Sequence, residues 1–164
     1  MIPTHLVAYL TGVFPLSAEM QCFWMAVQGS MTVRNGPNRD GRMDWFHAFA
    51  LSTVTAYAGA SFTMLWMGRP TSMLSNDLNV AFCIIAFVLT NYTPFDVGYK
   101  ILSTLPMVLV TTGFAQLFRG MGVIKFSDLA QEAFEDNPSP YYPTPIFGPI
   151  LLPCLLGNMG GLFL

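Results

Sequence analysis

Few residues in this sequence can do chemistry, and their placement is informative. Asp96 and Lys100 lie four residues apart in "NYTPFDVGYK", between two long apolar runs. Four residues is a little more than one helical turn, so both side chains fall on one face. Thr93-Pro94 just before them has the pattern of an N-cap followed by proline at the first helical position, with Asp96 inside the first turn. Glu19 stands alone among apolar residues, and an intramembrane carboxylate normally faces a cavity or a partner. Arg119 follows a long uncharged stretch; snorkelling to an interface is its plainer reading, and contact with an anion its sharper one. His5 and His47 are far apart without neighbouring ligands, and Cys22, Cys83 and Cys154 fall one to each apolar segment. No Cys/His cluster, nucleophile–base pair or phosphate loop is present, so metal binding, disulfides and catalysis have almost no support, and no metal or catalytic residue is expected.

The elements that must position these residues are apolar. The 164 residues are 53% hydrophobic, 14% aromatic and only 10% charged, where soluble domains carry roughly 25% charged residues. Residues 46–67, 78–92, 101–118 and 138–164 contain no Asp, Glu, Lys or Arg. A bilayer core of about 30 Å needs roughly 20 apolar residues per helix. The pattern predicts a single transmembrane helical domain over 1–164, an all-α polytopic membrane protein with about five spans at 6–30, 46–67, 76–92, 94–120 and 143–164. A soluble helical bundle needs polar faces that these segments lack. The net charge of −2 and the absence of a basic run give no support to nucleic-acid binding. The N-terminus lacks the basic n-region and cleavage site of a secretory signal.

The loops set the orientation. Loop one, "VRNGPNRDGRMD" (33–44), holds Arg34, Arg39 and Arg42, and with five spans it shares a side with the 93–100 junction and Lys100. The opposite side holds Arg69, Arg119 and Lys125; the three arginines in one short loop tip loop one towards the cytoplasm. The acidic stretch 121–142 is expected to be a loop, with "FSDLAQEAF" as a short amphipathic helix on the membrane surface. Asn76 or Asp77 can cap the third span.

Helix breakers add a second pattern. Pro106, inside the fourth span, is expected to kink it by removing a hydrogen bond. Gly59 interrupts the second span within a run of small residues, and the fifth carries Gly148, Pro149, Pro153, Gly157, Gly160 and Gly161. Gly157 and Gly161 form a GxxxG pair, which reads either as close helix packing or as a break that opens carbonyls to a cavity.

In this order the features resemble the trimeric intracellular cation (TRIC) channel family. The likeness runs from Phe14-Pro15 through His47, Ala58-Gly59-Ala60-Ser61, Gly68-Arg69-Pro70 and Asn76. It is strongest at Pro94-Phe95-Asp96-Val97-Gly98-Tyr99-Lys100, similar to the family's Pro-x-Asp-x-x-Tyr-Lys, and continues through Leu105-Pro106, Arg119, Tyr142-Pro143, Gly148 and the Gly157/Gly160/Gly161 cluster. The resemblance implies a K⁺-permeable monovalent cation channel. It implies a homotrimer with one pore inside each protomer, and seven helices in the family against the five expected here. It places the pore between the second and fifth helices, hence Gly59, Gly157, Gly160 and Gly161 as pore or hinge residues, with His47, Asp96 and Lys100 as structural polar residues. A phosphoinositide or other anionic lipid is the implied bound group, held in the family by a Lys and an Arg on the fourth helix. An endoplasmic reticulum or related intracellular membrane is the implied location. Two departures stand out. The family's Lys-Glu-x-x-Arg motif reads Ala115-Gln116-Leu117-Phe118-Arg119, so Arg119 remains while the Lys and Glu do not. The sequence also ends at "GNMGGLFL", leading to the expectation of a longer native chain or a partner over this end. A non-conducting structural subunit of a larger membrane complex is the competing function.

Overall fold

The computed structural model describes residues 4, 7, 8, 15–71, 73, 76–136 and 147–151. Among them the fold is all-helical: α1 (Ser17–Asn35), α2 (Trp45–Trp66), α3 (Asp77–Asn91), a 3-10 turn (Pro94–Asp96), α4 (Val97–Leu102) and α5 (Leu105–Asp136). The starts follow local chemistry. Asp44 Oδ2 accepts from the Phe46 N–H (3.2 Å) to cap α2, and Asn76 Oδ1 accepts from Leu78 N–H (3.0 Å) to cap α3. The sharp reversals after α2 and in loop one use glycines at positive φ, Gly68 and Gly41.

α1 is the hub, packing against α2, α3 and α5. It runs antiparallel to α2: Tyr57 Oη donates to the Cys22 carbonyl (3.1 Å), and further along Gly29 meets Ser52 and Ala56. It runs parallel to α3, since Cys22 Sγ donates to Asn79 Oδ1 (2.9 Å) at one end while the Ser30 and Thr90 hydroxyls bond at the other. Between these helices lies a core of small and sulfur-bearing residues, with Met25, Ala26, Val27, Ala56, Cys83 and Ala86 buried and Ala115 added from α5. Gly29 sets the α1–α2 distance. A Cβ built there lies 2.6 Å from the Ser52 carbonyl oxygen and 2.7 Å from Ala56 Cβ, closer than carbon atoms pack.

Among the described residues, two helices are long and apolar enough to cross a membrane, Trp45–Trp66 and Leu105–Ala133, and a third crossing is counted when Asp77–Asn91 and Pro94–Leu102 are taken as one bent span. α1 falls short on apolarity because it carries Glu19, Gln21, Gln28 and Arg34. The span expected at 94–120 is two separate pieces, and the break falls at Ser103-Thr104, before Pro106. Pro106 does not kink a helix. It occupies the first turn of α5, where the missing N–H has no intrahelical partner to lose. Nor is 121–136 a loop with its own short helix; α5 continues through Arg119 to Asp136, some 32 residues and about 48 Å. Its acidic end adds helical support, Gln131 Nε2 donating to Glu135 Oε1 one turn on (3.0 Å). Of the span expected at 143–164 only 147–151 are described; they are helical, and the Pro149 carbonyl accepts from Ser127 Oγ of α5 (3.1 Å).

Candidate functional site

The polar residues of "NYTPFDVGYK" meet at one place, the bend where α3 gives way to α4. The two helical pieces turn through 85°. Phe95 and Asp96 carry φ values of 55° and 57°, two consecutive left-handed residues that are not glycine, a conformation L-residues hold only when their surroundings impose it. Thr93 supplies part of that imposition. Its Oγ1 accepts from the Gly98 N–H (2.9 Å) and donates to the Leu89 carbonyl (3.3 Å), tying the start of α4 to the end of α3. Gly98 itself packs on the Leu89 carbonyl so closely that no Cβ fits there.

The rest comes from α1. Arg34, in its last turn, donates to the Thr90 carbonyl at the C-terminus of α3, donates to Asp96 Oδ1 (3.0 Å), and stacks over Tyr99 with its guanidinium carbon 4.0 Å from the ring centroid. One side chain thus ties α3, the turn and α4 together. A cation at a helix C-terminus meets the negative end of the dipole, and the planar guanidinium has enough donors to serve a carbonyl and a carboxylate together. Tyr99 Oη then donates to Asn35 Oδ1 (2.8 Å), and Asn91 Nδ2 donates to the Thr90 and Ser30 hydroxyls (2.8 and 3.3 Å). Loop one and the 93–100 junction therefore share an end of the bundle, as the order of the spans predicts.

Asp96 and Lys100 do not pair with each other. Asp96 is taken by Arg34, while Lys100 Nζ donates to the Phe95 carbonyl (3.0 Å), because the turn points Asp96 across to α1 before α4 begins. The other expected residues lie apart from this cluster. His47 is exposed in the first turn of α2. Gly59 is half-buried in α2, which runs through it unbroken, and its carbonyl accepts from Thr63 Oγ1 (3.0 Å). Arg119 is half-buried on α5 with no hydrogen bond or ion pair to any described residue. Glu19 is half-buried in the first turn of α1. Gly157, Gly160 and Gly161 lie outside the described residues. Sequence reasoning missed Arg34 as the hub, although it had placed Arg34 on the same side as Lys100. It also missed Gly29 and Gly98, which only a packed structure separates from other glycines.

Helices long and apolar enough to cross a membrane, joined by a polar junction at one end of the bundle, define a multi-pass membrane protein. Comparison with known families sharpens this: a family model for the TRIC channel matches residues 39–142, more than half of the chain. The chain belongs to the TRIC channel family. No curated protein and no solved structure matches it. The matched region holds α2, the bend with Asp96 and Lys100, and all of α5 including Arg119. Arg34 and the span-five glycines lie outside it.

Proposed function

We propose that the chain forms a K⁺-permeable monovalent cation channel of the TRIC type in an endoplasmic reticulum or related intracellular membrane, assembled as a homotrimer. The observation that carries this reading is the family match over 39–142, which includes the second span and the Pro-Phe-Asp-Val-Gly-Tyr-Lys bend. Ions pass between α2 near Gly59 and the segment at Gly157–Gly161. Buried polar atoms fit such a pathway. Gln28 Oε1 and Thr55 Oγ1 have no hydrogen-bond partner among the described residues, a state that water relieves. Glycines in the fifth segment allow backbone carbonyls to replace part of an ion's hydration shell. Arg119, half-buried on α5 and without a hydrogen bond or ion pair among the described residues, meets a lipid phosphate. The chain reconstituted in liposomes should pass K⁺, and Gly160→Ala with Gly161→Ala should reduce that flux with assembly intact. A folded but silent parent protein retires the reading. Arg119→Gln should lower the anionic lipid that co-purifies; an unchanged lipid content leaves Arg119 as a snorkelling residue.

A second reading, a non-conducting subunit of a larger membrane complex, is favoured by Ala115. This position matches the family's lipid-binding Lys, yet it is fully buried in the core, with no room for a headgroup. A stoichiometric hetero-complex in detergent, in place of a homotrimer, decides for it.

A further inference from the structure

We propose that α4 is an in-plane segment, lying along the lipid headgroup boundary at the loop-one end of the bundle with Phe95, Val97 and Ile101 set into the edge of the acyl chains. The 85° turn puts α4 across the end of the bundle, because α3 runs parallel to α1, which in turn packs antiparallel against the candidate span α2. The short helix has two faces. Gly98 and Leu102 are buried against the bundle, while Val97 and Ile101, one turn apart, are each about half exposed. Phe95 is 90% exposed. A left-handed phenylalanine held outward by Arg34, Thr93 and Gly98 is an expensive way to present an aromatic ring to water. In a headgroup layer the same ring finds its preferred surroundings, as interfacial aromatic residues do.

Continuity with the membrane-facing surface selects lipid as the occupant. Trp45 and Phe46, both exposed, open the candidate span α2, and exposed Tyr92 closes α3. Arg34 and Asn35 at the end of α1 tie this end of the bundle to the bend, and loop one leads from there into α2. The exposed charges there are of both signs, Arg39, Arg42 and Lys100 against Asp40, Asp44 and Asp96, so apolar insertion supplies the contact and the headgroups need not be anionic. The proposal rests on the chain being a membrane protein and is independent of whether it conducts.

Depth measurement tests it. The full chain, with Cys22, Cys83 and Cys154 replaced by Ser or Ala, is given Phe95→Cys, Val97→Cys or Ile101→Cys, labelled with a nitroxide and reconstituted in phosphatidylcholine vesicles. Collision with oxygen and with a water-soluble nickel chelate then reports depth. An in-plane α4 gives three similar shallow depths just below the phosphates. A crossing α4 deepens by about 9 Å between 95 and 101 at 1.5 Å per residue, which overturns the proposal. So does a label in free water at all three sites, or one shielded from both quenchers, as burial under a second protein would cause. Three positions on one short segment keep the test decisive if any single variant fails to fold.

Discussion

The α1–α2 seam and the α3–α4 bend each depend on one glycine, and they use it for opposite ends. At the seam, Gly29 lets two long helices approach, and the surroundings are small side chains without charge. At the bend, Gly98 lets the chain fold back on its own preceding carbonyls, and an arginine from another helix is needed to hold it. A seam has many neighbouring contacts that spread a misfit along its length. A bend concentrates its energy in a few hydrogen bonds, so each of them counts for more.

The largest expected effect is therefore at Gly98. Gly98→Ala drives a Cβ into the Leu89 carbonyl, and folded yield and thermal midpoint should fall by the equivalent of about 3 kcal/mol. Gly113→Ala on α5, where nothing lies within 4 Å of the added atom, should be neutral or slightly stabilising. Equal behaviour of the two variants breaks the distinction. Gly29→Ala comes next, at about 2 kcal/mol, with Ala56→Gly as its partial rescue: that change removes the Cβ clash but leaves the Ser52 carbonyl and the backbone nitrogen of residue 56. A thermal-unfolding double-mutant cycle without coupling shows that the seam relaxes by moving whole helices.

Arg34 separates the regions more finely. Arg34→Gln strips the bend of its tie to Thr90, Asp96 and Tyr99 and should cost about 2 kcal/mol in thermal unfolding. Asp96→Ala should cost less, about 1 kcal/mol, because Asp96 is half exposed and loses one partner. It should still lower oligomer yield more than Asp77→Ala, which removes a carboxylate from the first turn of α3. Equal yields for Asp96→Ala and Asp77→Ala mean that Asp96 only starts a helix. The smallest effect belongs to Lys100→Gln, a few tenths of a kcal/mol for one exposed bond to the Phe95 carbonyl.

The class was legible in the sequence because apolar runs and missing charges are properties of composition, which no packing detail changes. A helix boundary at Thr93-Pro94, though neither its 85° bend nor the absence of a Thr93 cap bond to the turn, was legible for a similarly local reason, since proline marks a helix start. The residues just beyond it were not. Spacing pairs Asp96 with Lys100 only if the helix is already formed at both, and the left-handed turn moves Asp96 outside it. Pro106 gave the wrong sign because its effect depends on distance from a helix start, and Ser103-Thr104 carries little signal as a break. Arg34 was visible as a charge on the correct side, but its contact 62 residues away in Asp96 is a matter of tertiary packing.

The length of α5 has a mechanical consequence. A rod of about 48 Å is tied near Leu105 to the bend, at Ala115 to the core beside α1, and at Ser127 to the Pro149 carbonyl. At 1.5 Å per residue those ties are spread over roughly 33 Å, so a rotation at the bend is resisted along most of the rod, and only the last turns up to Asp136 extend beyond the last of these ties.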